Sequence, residues 1–224
     1  MIKKGYSLEK GIPIVNFKNV FFSWPDTKVK IISGCTFSIK DKGLWMIVGE
    51  NGSGKSTCLK LINGIIKPTK GEVKCKANVG MVFQNPDHQI LMPNCRSELL
   101  LHINKRMSNL DISRKIDKVL KKVGLSGFEK RPIHTLSGGQ KQRLTIASAL
   151  ISDKNLILLD EPTALLDRTS QLMVIKIIKN LTSDYENPVS ALWITHRHEE
   201  LSYADAVAEM NNGNLSAWQE PSKF

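Results

Sequence analysis

Eight residues in the first quarter of the chain have the types and spacing to hold a row of phosphates: Gly49-Glu50-Asn51-Gly52-Ser53-Gly54-Lys55-Ser56 fits the pattern GxxxxGK[ST]. Glycines let backbone N–H groups converge on phosphate oxygens, and a helix opening at Lys55 adds the positive end of its dipole. Lys55 reaches the β and γ phosphates, Ser56 ligates Mg²⁺, and Thr57 completes the set of nucleotide contacts. Such a loop needs an acidic metal partner at the end of a buried strand. Leu156-Ile157-Leu158-Leu159-Asp160 supplies one, with Glu161 beside it. Asp160 would hold Mg²⁺, and Glu161 is placed to orient and polarise an attacking water.

The elements that must position these groups can be traced along the chain. Residues 14–24 and 31–39, rich in β-branched and aromatic side chains, read as paired strands. Residues 44–49 form a continuous apolar run, as expected of a strand buried on both faces of a parallel sheet. Helical spacing of Leu59, Ile62 and Ile66 carries the next element to residue 66. After Lys67-Pro68-Thr69-Lys70-Gly71, the stretches EVKC and NVGMVFQ read as strands, and residues 96–124 hold two helical stretches. Leu144, Ala147 and Leu150 predict one apolar face on the helix that follows Ser137. Later come the strand at 156–160, a long helix through LMVIKIIKNL, a strand VSALWIT, a short helix after His196, and final strands in AVAEM and LSAW. Alternation on this scale predicts an α/β fold with a parallel sheet.

Composition bounds the rest. The 224 residues, 41% hydrophobic and 24% charged, describe a globular chain rather than a disordered or fibrous one. No run of about 18 apolar residues occurs, and the first residues are too polar for an export signal. Cys35, Cys58, Cys75 and Cys95 lie far apart without a CxxC pair, so free thiols in a reducing compartment are expected. The net charge of +11 invites nucleic acid or anionic lipid as a partner, yet it is uneven: +8 over residues 1–95, +6 over 96–131 and −3 over 132–224.

Beyond the phosphate loop, Leu136-Ser137-Gly138-Gly139-Gln140-Lys141-Gln142-Arg143 resembles the signature of the ATP-binding cassette (ABC) ATPases, and the likeness covers nearly the whole chain. It implies a P-loop NTPase of the ABC ATPase fold, with an N-terminal antiparallel β subdomain and an inserted helical subdomain at about 92–138. One ABC ATPase domain would span residues 12–224, behind a tail of residues 1–11. Ser137, Gly138, Gly139 and Gln140 open a helix and so form a second anion site. The resemblance implies that this site meets ATP bound to another chain, two chains sandwiching two ATP molecules. Trp24 lies where the family stacks an aromatic on adenine; a strand-end aromatic in the core is the other reading. Gln84 resembles the glutamine that senses Mg²⁺ and water, and His196 the histidine that contacts the γ-phosphate and positions Glu161. Two histidines, His196 and His198, do not by themselves make a metal site. Asp167 stands where the family places a dimer contact, although Leu165 or Leu166 replaces a commoner small residue.

The segment Gln84-Asn85-Pro86-Asp87-His88-Gln89-Ile90 is similar to a form common in energy-coupling-factor ATPases, which drive uptake of vitamins and of cobalt or nickel. This implies an ATP-hydrolysing subunit at the cytoplasmic face of a membrane, or the stromal side in a plastid. It would power separate transmembrane subunits and pair with a second ABC chain, identical or paralogous. The rival is a non-transport ABC ATPase acting on nucleic acid or ribosomes, whose usual coiled-coil insertion or second cassette does not fit in 224 residues. A small-molecule kinase would leave the signature without a purpose.

Overall fold

The computed structural model describes residues 13–103, 107–184, 186 and 189–224. The expected tail, residues 1–11, lies outside the described residues. Two sheets organise the chain. In the first, β1 (Pro13–Ser23) pairs antiparallel with both β2 (Lys30–Lys40) and β4 (Lys70–Cys75). The second has the order β5-β6-β7-β3-β8-β9, built from β3 (Gly43–Val48), β5 (Val79–Val82), β6 (Leu156–Asp160), β7 (Ser190–Thr195), β8 (Ala206–Asn211) and β9 (Asn214–Leu215). Its first five strands run parallel, and β9 returns antiparallel on β8. The α/β expectation and the N-terminal antiparallel sheet are both met.

Every residue of β3 and β7 is buried because the sheet divides two cores. Leu44, Met46, Ile157, Leu159 and Trp193 face one, and Trp45, Ile47, Leu158, Leu192 and Ile194 face the other. Period-two side-chain alternation then demands apolar residues at every position, which is why these strands read as unbroken hydrophobic runs. The second core is shared with β1, β2 and the helix α1 (Lys55–Ile62). The first is shared with α2 (Cys95–Leu100), α3 (Asn109–Lys122), α4 (Gly138–Ile151) and α5 (Arg168–Thr182). The stretch 92–138 thus contains α2 and α3, and its Cys95, Leu99, Ile116 and Leu120 join the core of α4 and α5.

Three expectations need correction. Helix α1 stops at Ile62 rather than at residue 66: Asn63 caps it, Gly64 turns at φ 73°, and Ile65 points outward. The strands read as EVKC and NVGMVFQ have other bounds: β4 already begins at Lys70 and joins the antiparallel sheet, while β5, at the edge of the parallel one, ends before Phe83. Helix α4 has no single apolar face. Thr145, Ile146, Ser148 and Ala149 are buried along with Leu144 and Ala147, while Leu150 is only partly covered, because α4 is packed by β5, α2, α3 and α5 together.

Candidate functional site

The loop after β3 needs its glycines for identifiable reasons. At Gly49 a Cβ would lie 2.3 Å from the carbonyl of Met210 in β8, and at Gly54 it would meet Ile31 O at 2.9 Å with φ at 109°. The turn between β8 and β9 closes the loop from the other side: Gly213 N–H donates to Ser53 O at 3.1 Å, and Gly213 O accepts from Ser33 N–H of β2 at 3.0 Å. Lys55 is buried and folds back across the loop, its Nζ donating to Gly49 O at 2.7 Å and Glu50 O at 2.8 Å. Burial lowers its pKa from 10.5, and the carboxylates of Glu161 and Asp160 oppose that shift. Helix α1 opens on Gly54 without a side-chain cap, and Ser53 Oγ is buried with no hydrogen-bond partner among the described residues.

The ends of β6 and β7 bring the acidic groups to this loop. Ser56 Oγ donates to Asp160 Oδ1 at 3.1 Å. Burial raises the Asp160 pKa from 3.8, as does neighbouring Glu161, whereas the Ser56 hydrogen bond, Lys60 and Lys55 lower it. Glu161 Oε2 lies 3.0 Å from His196 Nδ1, and Glu161 N–H donates to Ile194 O at 3.0 Å. Glu161 adopts φ 45°, a left-handed conformation that is uncommon outside glycine. Lys55, Ser56, Asp160, Glu161 and His196 therefore gather at the C-terminal ends of three adjacent parallel strands, where α/β sheets bind ligands. A hydroxyl and a carboxylate are hard oxygen donors, the chemistry Mg²⁺ takes when phosphates and waters fill its other positions.

The remaining candidates lie around this centre. Trp24, just past β1, is 38% exposed, with Phe22 edge-on at 5.1 Å and Lys60 Nζ 5.5 Å from its ring centroid. Its exposure sets aside the core-aromatic reading. Gln84 is exposed on the loop that leaves β5. Ser137, Gly138, Gly139 and Gln140 stand at the opening of α4. Ser137 Oγ accepts from Gln140 N–H at 3.2 Å, and Gln140 Oε1 accepts from Ser137 N–H at 2.9 Å, a capping box. Gly138 is exposed, whereas a Cβ on Gly139 would strike Ser170 Oγ of α5 at 2.4 Å. Asp167 caps α5, accepting from Ser170 N–H at 3.0 Å and Ser170 Oγ at 2.7 Å, bonds that lower its pKa from 3.8. Of the two leucines beside it, Leu165 is exposed and Leu166 packs inward.

Residues that sequence reasoning left without a role tie the Gln84 loop down. Gln89 reaches back along β5, its Nε2 donating to Met81 O at 2.9 Å and its Oε1 accepting from Phe83 N–H at 3.2 Å. From α4, the fully buried Gln142 donates to Phe83 O at 3.1 Å, and Lys141 pairs with Asp87 at 2.7 Å. Glu98, buried in α2, accepts from Leu91 and Met92 N–H, each at 3.0 Å. The only sequence signal for these contacts is that polar residues stand at positions where a packed helix wants apolar ones.

Comparison with known proteins adds relatives to this geometry. The family model described as ABC transporter matches residues 32–164. An Arabidopsis thaliana protein named ABC transporter I family member 10 is 44% identical over 189 residues, covering 84% of this chain and 70% of that protein. The energy-coupling factor transporter ATP-binding protein EcfA1 of Streptococcus pyogenes is 34% identical over 227 residues, covering 94% of this chain and 80% of its own. Among solved structures, cbiO1 from Clostridium perfringens, part of the ABC transporter complex cbiONQ, superposes with a TM-score of 0.86 at 27% identity, covering 94% and 90% of the two chains. A dimeric ATP-binding cassette in a post-hydrolysis state, bound to ADP and Pi, gives 0.78 at 26% identity, covering 94% and 100%.

Proposed function

Because this chain belongs to the ABC transporter family, as one of its ATPases, we propose that it is the ATP-hydrolysing subunit of a micronutrient uptake system of energy-coupling-factor type. The observation that carries the hydrolytic assignment is the 3.0 Å contact between Glu161 and His196 beside Lys55 and Asp160. In this reading the loop N–H groups and Lys55 bind the phosphates of ATP, with Trp24 against the base. Ser56 and Asp160 would hold Mg²⁺, with Gln84 approaching it; the ion, when bound, neutralises charge on the β and γ phosphates. With its proton on Nδ1, His196 donates to Glu161 and fixes that carboxylate's direction. The other Glu161 oxygen accepts a proton from the water that attacks the γ-phosphorus, and ADP and phosphate leave.

Ser137, Gly138, Gly139 and Gln140 would meet ATP held by a second ABC chain, with Asp167 at the seam between the chains. The likeness to a dimeric cassette supports that pairing. The helices at 92–138 would receive a separate transmembrane subunit, since no helix among the described residues is long and apolar enough to cross a membrane. The basic +6 segment then faces the anionic inner surface of that membrane, on its cytoplasmic or stromal side.

Glu161→Gln is expected to cut phosphate release by about 100-fold or more while ATP binding persists; normal turnover would sink the assignment. Copurification from detergent-solubilised membranes tests the transport reading. An integral membrane protein should come down with the chain, whereas salt-sensitive retention of RNA or DNA without one would favour the rival.

A further inference from the structure

Just behind the Glu161–His196 pair lies a carboxylate that takes no part in the chemistry assigned so far. Glu200 stands in the short helix α6 (His198–Leu201) and is 1% exposed. No basic side chain is hydrogen-bonded to it among the described residues. Its two oxygens are instead satisfied by two threonines, one in the turn after β6 and one at the end of β7. Thr163 Oγ1 donates to Oε1 at 2.5 Å, and Thr195 Oγ1 donates to Oε2 at 2.7 Å. The threonines are themselves 1% and 2% exposed, so all three polar groups are shut off from water. A buried carboxyl group needs such partners in place of water, so this arrangement is strongly constrained.

The two threonines flank the reacting pair. Thr163 is two residues after Glu161, in a turn closed by Ala164 N–H donating to Glu161 O at 3.1 Å. Thr195 immediately precedes His196, and its hydroxyl also accepts from Arg197 N–H at 3.0 Å, so the bond spans the histidine. A second tie crosses the same gap, Arg197 Nη2 donating to Ala164 O at 3.4 Å. Glu161 meanwhile sits at φ 45°, a strained conformation that persists only where its surroundings over-determine it.

We propose that Glu200 is a positioning residue for hydrolysis: through Thr163 and Thr195 it clamps the loop carrying Glu161 to the loop carrying His196 and sets the separation of the two. The proposal rests on Glu161 and His196 being the hydrolytic pair. It differs from a general stabilising role in what it leaves untouched. Neither threonine nor Glu200 reaches the phosphate loop, so ATP binding through Lys55 survives when the clamp is cut, while the water-activating geometry does not.

The test is steady-state ATP turnover by the full chain in the complex that copurifies with it. Glu200→Ala should lower kcat by about 10-fold or more, the scale of a misplacement near 1 Å, with KM for ATP changed by less than about threefold. Thr195→Val and Thr163→Val, which keep shape and remove the hydroxyl, should lower kcat in the same way. Thr195→Ser and Thr163→Ser should restore it to within about threefold. Adding Thr195→Val to Glu200→Ala should cost nothing more, because one clamp has already been lost. If Glu200→Ala fails to fold, the valine and serine pairs decide alone. Equal kcat in the Val and Ser variants, a folded Glu200→Ala with unaltered kcat, or a KM rising in step with the loss of kcat would overturn the clamp. Glu161→Gln run alongside separates the two levels. Its stalling with a normal Glu200→Ala removes only the clamp, whereas its normal turnover removes the hydrolytic pair and the clamp with it.

Discussion

Two helices in this chain open on small capping residues, Gly54 and Ser137, and they are finished differently. Helix α1 opens on Gly54 with no side-chain cap and has Lys55 folded over its loop. Helix α4 opens on Ser137 inside a complete capping box, and Lys141, one turn in, is paired with Asp87. An uncapped N-terminus with a buried ammonium beside it gains most from a bound polyanion. A terminus whose Ser137 and Gln140 N–H groups are already bonded in a capping box has fewer free donors, and gains less from an anion alone. On the function proposed above, the first would hold nucleotide within one chain, and the second would add a smaller increment when another chain brings its nucleotide.

The largest expected effect falls on the first terminus. Lys55→Ala should weaken ATP binding by roughly 10- to 100-fold, the worth of a charge-assisted hydrogen bond, read as a shift in a titration followed by Trp24 fluorescence. Unchanged affinity would erase the contrast. At the second terminus the two glycines should separate. Gly139→Ala, forced against Ser170, is expected to cost about 1–3 kcal/mol and to lower Tm by about 2–4 °C for each kcal/mol. Gly138→Ala, whose Cβ meets only Leu166 at 3.8 Å, should melt like the parent while impairing ATP-driven pairing in sedimentation. Ser137→Ala should remove about 1 kcal/mol of cap and leave ATP binding by the single chain unaltered; a weakened single-chain affinity would make the two termini alike.

The smallest effect concerns the stretch joining them. Burial pushes the Glu98 pKa up, but His102 and the Leu91 and Met92 N–H groups together hold it below 4.5. The stability it contributes is therefore present above about pH 4.5 and fades as pH falls through the lowered folded value. The Tm gap between the parent and Glu98→Gln should shrink on acidification below that point; a constant gap would show that the carboxylate's charge is immaterial.

Much of this was legible beforehand because the signals are local. Strands buried on both faces announce themselves as apolar runs, and the phosphate loop and Ser137-x-x-Gln140 are fixed spacings over a few residues. The end of α1 was missed because Leu59, Ile62 and Ile66 keep helical spacing across Asn63-Gly64, where the backbone has already turned. The burial of α4 was missed because Thr145 and Ser148 look polar yet satisfy themselves on carbonyls of their own helix. For partners distant in sequence, the local pattern shows at most a polar residue on a packed face and never which residue it meets. Gln142 bonds Phe83 across 59 positions and Glu200 bonds Thr163 across 37, so each charged or amide side chain reads as surface until its partner is in place.

The β8–β9 turn gives the molecule a schedule. Gly213 bonds Ser53 on one side and Ser33 on the other, and the Met210 carbonyl packs over Gly49. During synthesis the phosphate loop leaves the ribosome well before β8 and the β8–β9 turn, the segments that fix its shape. A nascent chain can carry every glycine of the loop and still lack the clasp that makes it a nucleotide receptor.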